Sequence, residues 1–110
     1  MVNRQPSWAE LWWTDFDEPV GRRPALVLSR PEAAAVLPRL LLAPATTTVR
    51  GLPSEVALGP EDGLPRECVI NLDTPEMLSR HHLVEYIATL SALRWQEVCD
   101  AIAAAINCAR

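Results

Sequence analysis

The sequence predicts a mostly β domain, a small curled barrel closed by one C-terminal helix. Short β-favouring runs recur through residues 10–88, and Pro, Gly and Asp break them at short intervals. All ten prolines lie at or before Pro75, so the last segment is free to be helical. Short strands with regular turns and one packed helix fit a curled barrel better than a doubly wound sheet.

Glu10 to Phe16 is rich in aromatic and β-favouring residues and stops at Asp17-Glu18-Pro19, which reads as a first strand. Trp12 and Trp13 are adjacent there, so one ring should face inward and the other outward. Pro24 to Ser29 is nearly all apolar, as expected of a strand covered on both faces. Leu40 to Ala43 repeats that pattern between Pro38 and Pro44. Glu55 to Leu58 alternates, Cys68 to Leu72 resumes after Pro65, and Leu83 to Ala88 forms a last strand. Ser91 is placed to cap a helix of about four turns, with Trp95, Val98, Ile102 and Ile106 as its core stripe and Arg94, Glu97 and Asp100 on its exposed side.

A length of 110 residues fits one domain over residues 1–110. No apolar run approaches the roughly 20 residues needed to span a bilayer, and no apolar stretch follows Arg4 as in a secretory signal. The expectation is a cytoplasmic protein with no membrane partner. Cys68, Cys99 and Cys108 lack paired spacing and read as reduced, mostly buried thiols.

The net charge of −4 argues against a general nucleic-acid binder. The charge is segregated, however. Five Arg (22, 23, 30, 39 and 50) stand against Glu32 alone between residues 22 and 50, while six acids stand against Arg66 between residues 55 and 76.

Three stretches resemble the MazF/PemK toxin family: Glu10-Leu11-Trp12-Trp13-Thr14-Asp15-Phe16 leading to Gly21-Arg22-Arg23-Pro24-Ala25-Leu26-Val27, the segment from Ala43 to Val56, and Gly63-Leu64-Pro65-Arg66-Glu67-Cys68-Val69-Ile70-Asn71-Leu72-Asp73. With Leu83-Val84-Glu85 and the terminal helix they cover almost the whole chain in family order. The resemblance implies an SH3-like barrel and a homodimer with single-stranded RNA lying across it. It also implies a cognate antitoxin whose C-terminal segment occupies the same groove. The family's catalytic pair is an Arg just before the Pro of the second strand and a Thr at the end of the third, here Arg23 and Thr46.

Residue chemistry agrees with that assignment. Attack of a ribose 2′-OH on phosphorus needs charge stabilisation, which a planar guanidinium supplies through fixed paired donors. Thr46, Thr47 and Thr48 offer hydroxyls to phosphate oxygens, and Arg22 and Arg50 are further substrate contacts. The plainer alternative for Arg22 and Arg23 is surface pairing with Asp15 or Asp17. Alternation along a strand should send Arg22 to the side opposite Arg23. His81 and His82 read as surface residues rather than acid–base catalysts. No metal-ligand spacing occurs, and no cofactor is implied.

Relatives commonly insert several residues before the Arg-Pro pair, whereas here Val20-Gly21 runs straight into Arg22-Arg23-Pro24. The acid that this loop contributes in some relatives is absent, and both arginines should lie nearer solvent. The expected activity is metal-independent endoribonuclease cleavage of RNA, leaving a 2′,3′-cyclic phosphate and a 5′-OH. The alternatives are a non-catalytic toxin on the same barrel that binds a protein such as DNA gyrase, as CcdB proteins do, and a degenerate relative that only binds antitoxin or RNA.

Overall fold

The computed structural model describes residues 4–107. In chain order its elements are β1 (Glu10–Asp15), β2 (Arg22–Val27), α1 (Pro31–Val36), β3 (Arg39–Thr46), β4 (Glu55–Leu58), β5 (Cys68–Asn71), β6 (Glu76–Ser79), β7 (Leu83–Thr89) and α2 (Ala92–Ile106). Pro60–Asp62 and Arg80–His82 form 3₁₀ turns. The strands run antiparallel in the order β4-β5-β3-β2-β1-β7, with β6 added to β3. The two ends of that order, β4 and β7, do not pair. The sheet therefore curls without closing, and the word barrel describes its curvature.

The apolar run of β2 is covered on both faces. Leu26 packs with Leu11 and Ala43 in one core cluster, while Ala25 and Val27 join Trp12, Leu40 and Leu42 in another. β3 is longer than its apolar run predicts, continuing through Pro44 to Thr46. Proline is usually confined to strand edges and bulges because it has no N–H to donate. Here Arg39 to Leu42 pair with β6 and Ala45 and Thr46 pair with β5, so Pro44 falls in the interval between those two neighbours.

Two elements have no clear signature in the sequence. α1 spans only six residues, too few to display a helical period. The Arg80 guanidinium holds its C-terminal end, donating to the Ala34 carbonyl at 2.8 Å and to the Leu37 carbonyl from Nε at 3.1 Å. β6 has little β-propensity and exists through its pairing with β3.

At the C-terminus, the Ser91 hydroxyl accepts from the Arg94 N–H at 3.2 Å and caps α2 as expected. Val98 is buried, and Trp95 and Ile102 pack against the core, but the stripe ends a turn early because Ile106 is 61% exposed. Arg94 is not a free solvent-facing residue. It donates to Asp62 from Nε at 2.9 Å and to Glu97 from Nη1 at 2.9 Å, tying α2 to the 3₁₀ turn. Gly63 ends that turn at φ +94°, where a Cβ would come within 2.7 Å of Ala88 Cβ, so only glycine lets the turn rest on β7. Cys68 is buried but Cys99 is exposed, since it lies off the packed face of α2. Cys108 lies outside the described residues.

Burial alone pushes the Asp62 carboxyl up, but hydrogen bonds from Arg94 and the Gly59 N–H outweigh it and hold the group below the ordinary carboxylate range. A depressed folded-state pKa adds stability that is fully present above the unfolded value near 3.9 and lost as pH falls through the folded value. Asp62→Asn is therefore expected to be less stable than the parent at pH 7 and to lose less on acidification. Urea titrations at pH 7 and pH 3 check this, and parallel losses in both proteins would refute it.

Candidate active site

The strand register brings the two sequence-predicted catalytic residues together. The β2–β3 pairing ends at Ala25 opposite Pro44; Arg23 and Thr46 each lie two residues beyond it, both line one cavity, and the Arg23 guanidinium reaches the carbonyl of Ala45, the neighbour of Thr46. A cavity of about 360 Å³ opens over these strand ends. Its walls carry Trp13, Arg22, Arg23, Pro24 and Ala45 to Thr48 on one side of the sequence and Leu64 to Arg66 with Cys68 on the other. Three arginines line it and no carboxylate does.

Arg23 is half-buried and held by backbone oxygens. Its Nη1 donates to the Ala45 carbonyl at 3.2 Å and its Nη2 to the Val20 carbonyl at 3.3 Å. The short Asp17–Gly21 connection, closed by Val20 N–H to Asp17 O at 3.0 Å and Phe16 N–H to Gly21 O at 3.0 Å, thus seats the guanidinium. Arg22 is exposed, whereas the loop's own Val20 carbonyl holds Arg23. Its Nε is buried without an acceptor, the one such side-chain atom among the described residues. No ion pair engages it among those residues, so its charge is not spent within the fold.

Arg22 behaves differently. It forms a two-pronged pair with Asp15, Nε to Oδ1 at 2.6 Å and Nη2 to Oδ2 at 3.1 Å. The hydrogen bond from Arg22 holds the exposed Asp15 carboxyl below its ordinary range. The surface-pairing alternative is therefore correct for Arg22 and wrong for Arg23. Arg22 also reaches the cavity rather than a separate face, because the cavity straddles the strand ends and both neighbours meet it.

Thr46 Oγ accepts from the Thr48 N–H at 3.1 Å, which occupies a lone pair and leaves its hydroxyl hydrogen free to donate. Thr47 and Thr48 line the cavity beside it. Arg50 does not. It is exposed on the following loop, where the Glu55 carboxylate accepts from the backbone N–H groups of Arg50, Gly51 and Leu52 at 3.0–3.3 Å. Of the first-strand tryptophans, Trp12 is buried against α1's core cluster and Trp13 lines the cavity.

Beyond the predicted residues the lining includes Arg66 and Trp13. Arg66 lies in the acid-rich part of the chain, so charge counting pointed away from it; its place within the Gly63–Asp73 motif was the available signal. Burial pushes the Cys68 thiol up, which leaves it protonated near neutral pH. Neither histidine lines this cavity, and His82 Nδ1 lies 2.8 Å from the Asp15 carbonyl. Among the described residues no group of three or more His, Cys, Asp or Glu is placed to share a metal ion.

A second cavity of about 470 Å³ is larger but differently equipped. Its Arg4 pairs with Glu10 at 2.7 Å and lies 3.7 Å from the Tyr86 ring centre, and its Arg80 is bound to α1. Its cations are already engaged within the fold.

Fold and site together define a small β domain with a cationic groove suited to a phosphodiester chain. A model of the family described as "PemK-like, MazF-like toxin of type II toxin-antitoxin system" matches residues 8–106. "Probable endoribonuclease MazF5" of Mycobacterium tuberculosis is 44% identical over 106 residues, covering 96% of each chain. "Probable endoribonuclease MazF2" of the same organism is 36% identical over 100 residues, 90% of this chain and 96% of its own. Among solved structures, "Mycobacterium tuberculosis toxin MazF-mt6" superposes with a TM-score of 0.84 at 28% identity, covering 92% of this chain and 99% of that one. "Endoribonuclease in complex with its cognate antitoxin from Mycobacterial species" gives 0.82 at 25% identity, covering 96% and 98%. The chain belongs to the family of PemK-like, MazF-like toxins of type II toxin–antitoxin systems.

Proposed function

We propose that this toxin is an endoribonuclease that cuts single-stranded RNA without a metal, by attack of the 2′-OH on the adjacent phosphorus. The reading rests chiefly on one observation: Arg23, bearing no carboxylate, lines the same cavity as Thr46, with three arginines and no acid in its walls. In the reaction the 2′-O–P bond forms and the P–O5′ bond breaks. The 2′-OH loses its proton and the departing O5′ gains one, leaving a 2′,3′-cyclic phosphate and a 5′-OH. Arg23 stabilises the charge on the five-coordinate phosphorus, and Thr46 donates to a phosphate oxygen or relays a proton. Arg22, Thr47 and Thr48 hold the flanking backbone. Arg50 is a contact only for RNA that runs beyond the cavity.

Residues 1–110 act in this reading as one toxin domain, a cytoplasmic homodimer. Val36 and Leu37 at the end of α1 and Met77 on β6 are exposed apolar residues available to a second copy. A cognate antitoxin, whose C-terminal segment covers the groove, would satisfy the same guanidinium groups as RNA; among the structural neighbours is an endoribonuclease solved in complex with its cognate antitoxin.

Purified protein should cut an oligoribonucleotide equally well in excess EDTA and fail on the same oligonucleotide with a single 2′-deoxyribose at the cut. Loss of cleavage in EDTA with recovery on adding Mg²⁺, or unimpaired cutting at the deoxy position, would refute this chemistry.

A further inference from the structure

The cleavage chemistry leaves one wall of the cavity unused. Phosphate stabilisation calls for guanidinium and hydroxyl groups, yet the lining also includes Trp13, Pro24, Leu64 and Pro65, with Arg66 on the same loop as the last two. Trp13 stands directly across from Pro24 in the β1–β2 register, so an indole and a pyrrolidine ring lie side by side. Arg66 is exposed and makes no hydrogen bond or ion pair with a side chain among the described residues. An apolar wall with an indole in it beside uncompensated positive charge suits a nucleobase attached to a bound phosphate, because every base has a π face to stack and edge acceptors for a guanidinium.

We propose that Trp13 and Arg66 form a nucleobase subsite next to the phosphate held at Arg23: Trp13 stacks on the base, and Arg66 donates to its edge and sets which base is accepted. The inference rests on the reading of this cavity as an RNA site, and deepens it. The volume of about 360 Å³ falls within the range of about 300–1,000 Å³ usual for small-molecule sites. Trp13 thereby determines affinity for the nucleotide, and Arg66 determines preference among bases.

The test uses short oligoribonucleotides that vary only in the two nucleotides flanking the cut, with the parent protein, Trp13→Phe, Trp13→Leu and Arg66→Ala. Trp13→Leu should raise KM roughly 5- to 100-fold with kcat little changed, the range given by base–aromatic stacking, and Trp13→Phe should recover most of it. Arg66→Ala should narrow the spread of kcat/KM among the four bases at one flanking position. Thermal melts of each variant separate lost stacking from lost fold, and Phe keeps the packing if Leu does not. Unchanged KM in Trp13→Leu together with unchanged base preference in Arg66→Ala, while the parent still cuts, would overturn the subsite. A second arm reads binding without cleavage, using quenching of indole fluorescence by an oligonucleotide with 2′-deoxyribose at the cut. Quenching that disappears in Trp13→Leu supports the subsite even if the parent cuts no RNA, and quenching that persists undiminished overturns it.

Discussion

Replacing Arg23 with alanine is expected to lower kcat/KM for RNA cleavage by about 100- to 1,000-fold, the usual loss when one preorganised donor to a developing oxyanion is removed. The structure adds a second expectation. Arg23 also donates to the Ala45 and Val20 carbonyls, so its loss leaves two backbone acceptors with less than their full complement. That costs about 1–3 kcal/mol in stability, offset in part because the unpartnered buried Nε disappears with it. Arg23→Lys keeps the charge but loses the planar fork, and should recover stability better than rate. Single-turnover cleavage, measured below the melting transition of each variant, checks both effects. A folded Arg23→Ala protein that cuts RNA near the parent rate would remove Arg23 from the mechanism.

The largest expected effect on stability comes from Leu26→Ala. Leu26 is fully buried, lies between Leu11 on β1 and Ala43 on β3, and belongs to the core cluster that also holds Val98 and Ala101 of α2. Truncation there removes buried methyl groups and leaves a cavity that neighbouring strands cannot collapse to fill, costing about 2–5 kcal/mol. Small domains have only about 5–15 kcal/mol in total, so the variant should unfold at much lower urea with its slope unchanged. Leu93→Ala, at a position 78% exposed, is the contrasting control and should stay within about 0.5 kcal/mol of the parent. Equal midpoints for the two variants would contradict the packing described for β2.

How much was legible depended on how local each signal was. β2 was readable because its unbroken apolar run can satisfy burial only with cover on both faces. α2 was readable because a capping serine preceded a long stretch of helical period. The run to Ala43 hid the continuation of β3, since Pro44 is compatible with a strand only where neighbouring strands leave an interval, and that interval is set by β5 and β6. α1 and β6 were not readable because neither carries its own stability: one is capped by Arg80 from far along the chain, the other is templated by β3.

The candidate site divides in the same way. Arg23 and Thr46 were identified from motifs that name residues without positions in space. The seating of the Arg23 guanidinium was not legible, because it depends on a carbonyl 22 residues away on β3 and on the closed turn before it. Arg50 was grouped with the site by charge and proximity in sequence, but Glu55 draws its loop into a separate turn outside the cavity.

By itself, then, the sequence determined the strand-rich class, the terminal helix and the family, and singled out Arg23 and Thr46 as the candidate pair, since these follow from propensity, period and motif within short windows. Only the tertiary structure decided that Trp13 rather than Trp12 faces the groove, that Asp15 engages Arg22 but leaves Arg23 free, and that Arg66 joins the same cavity. Those outcomes depend on register and sheet curvature, which bring residues from β1, β2, β3 and the loop before β5 to one place; no window along the chain contains that information.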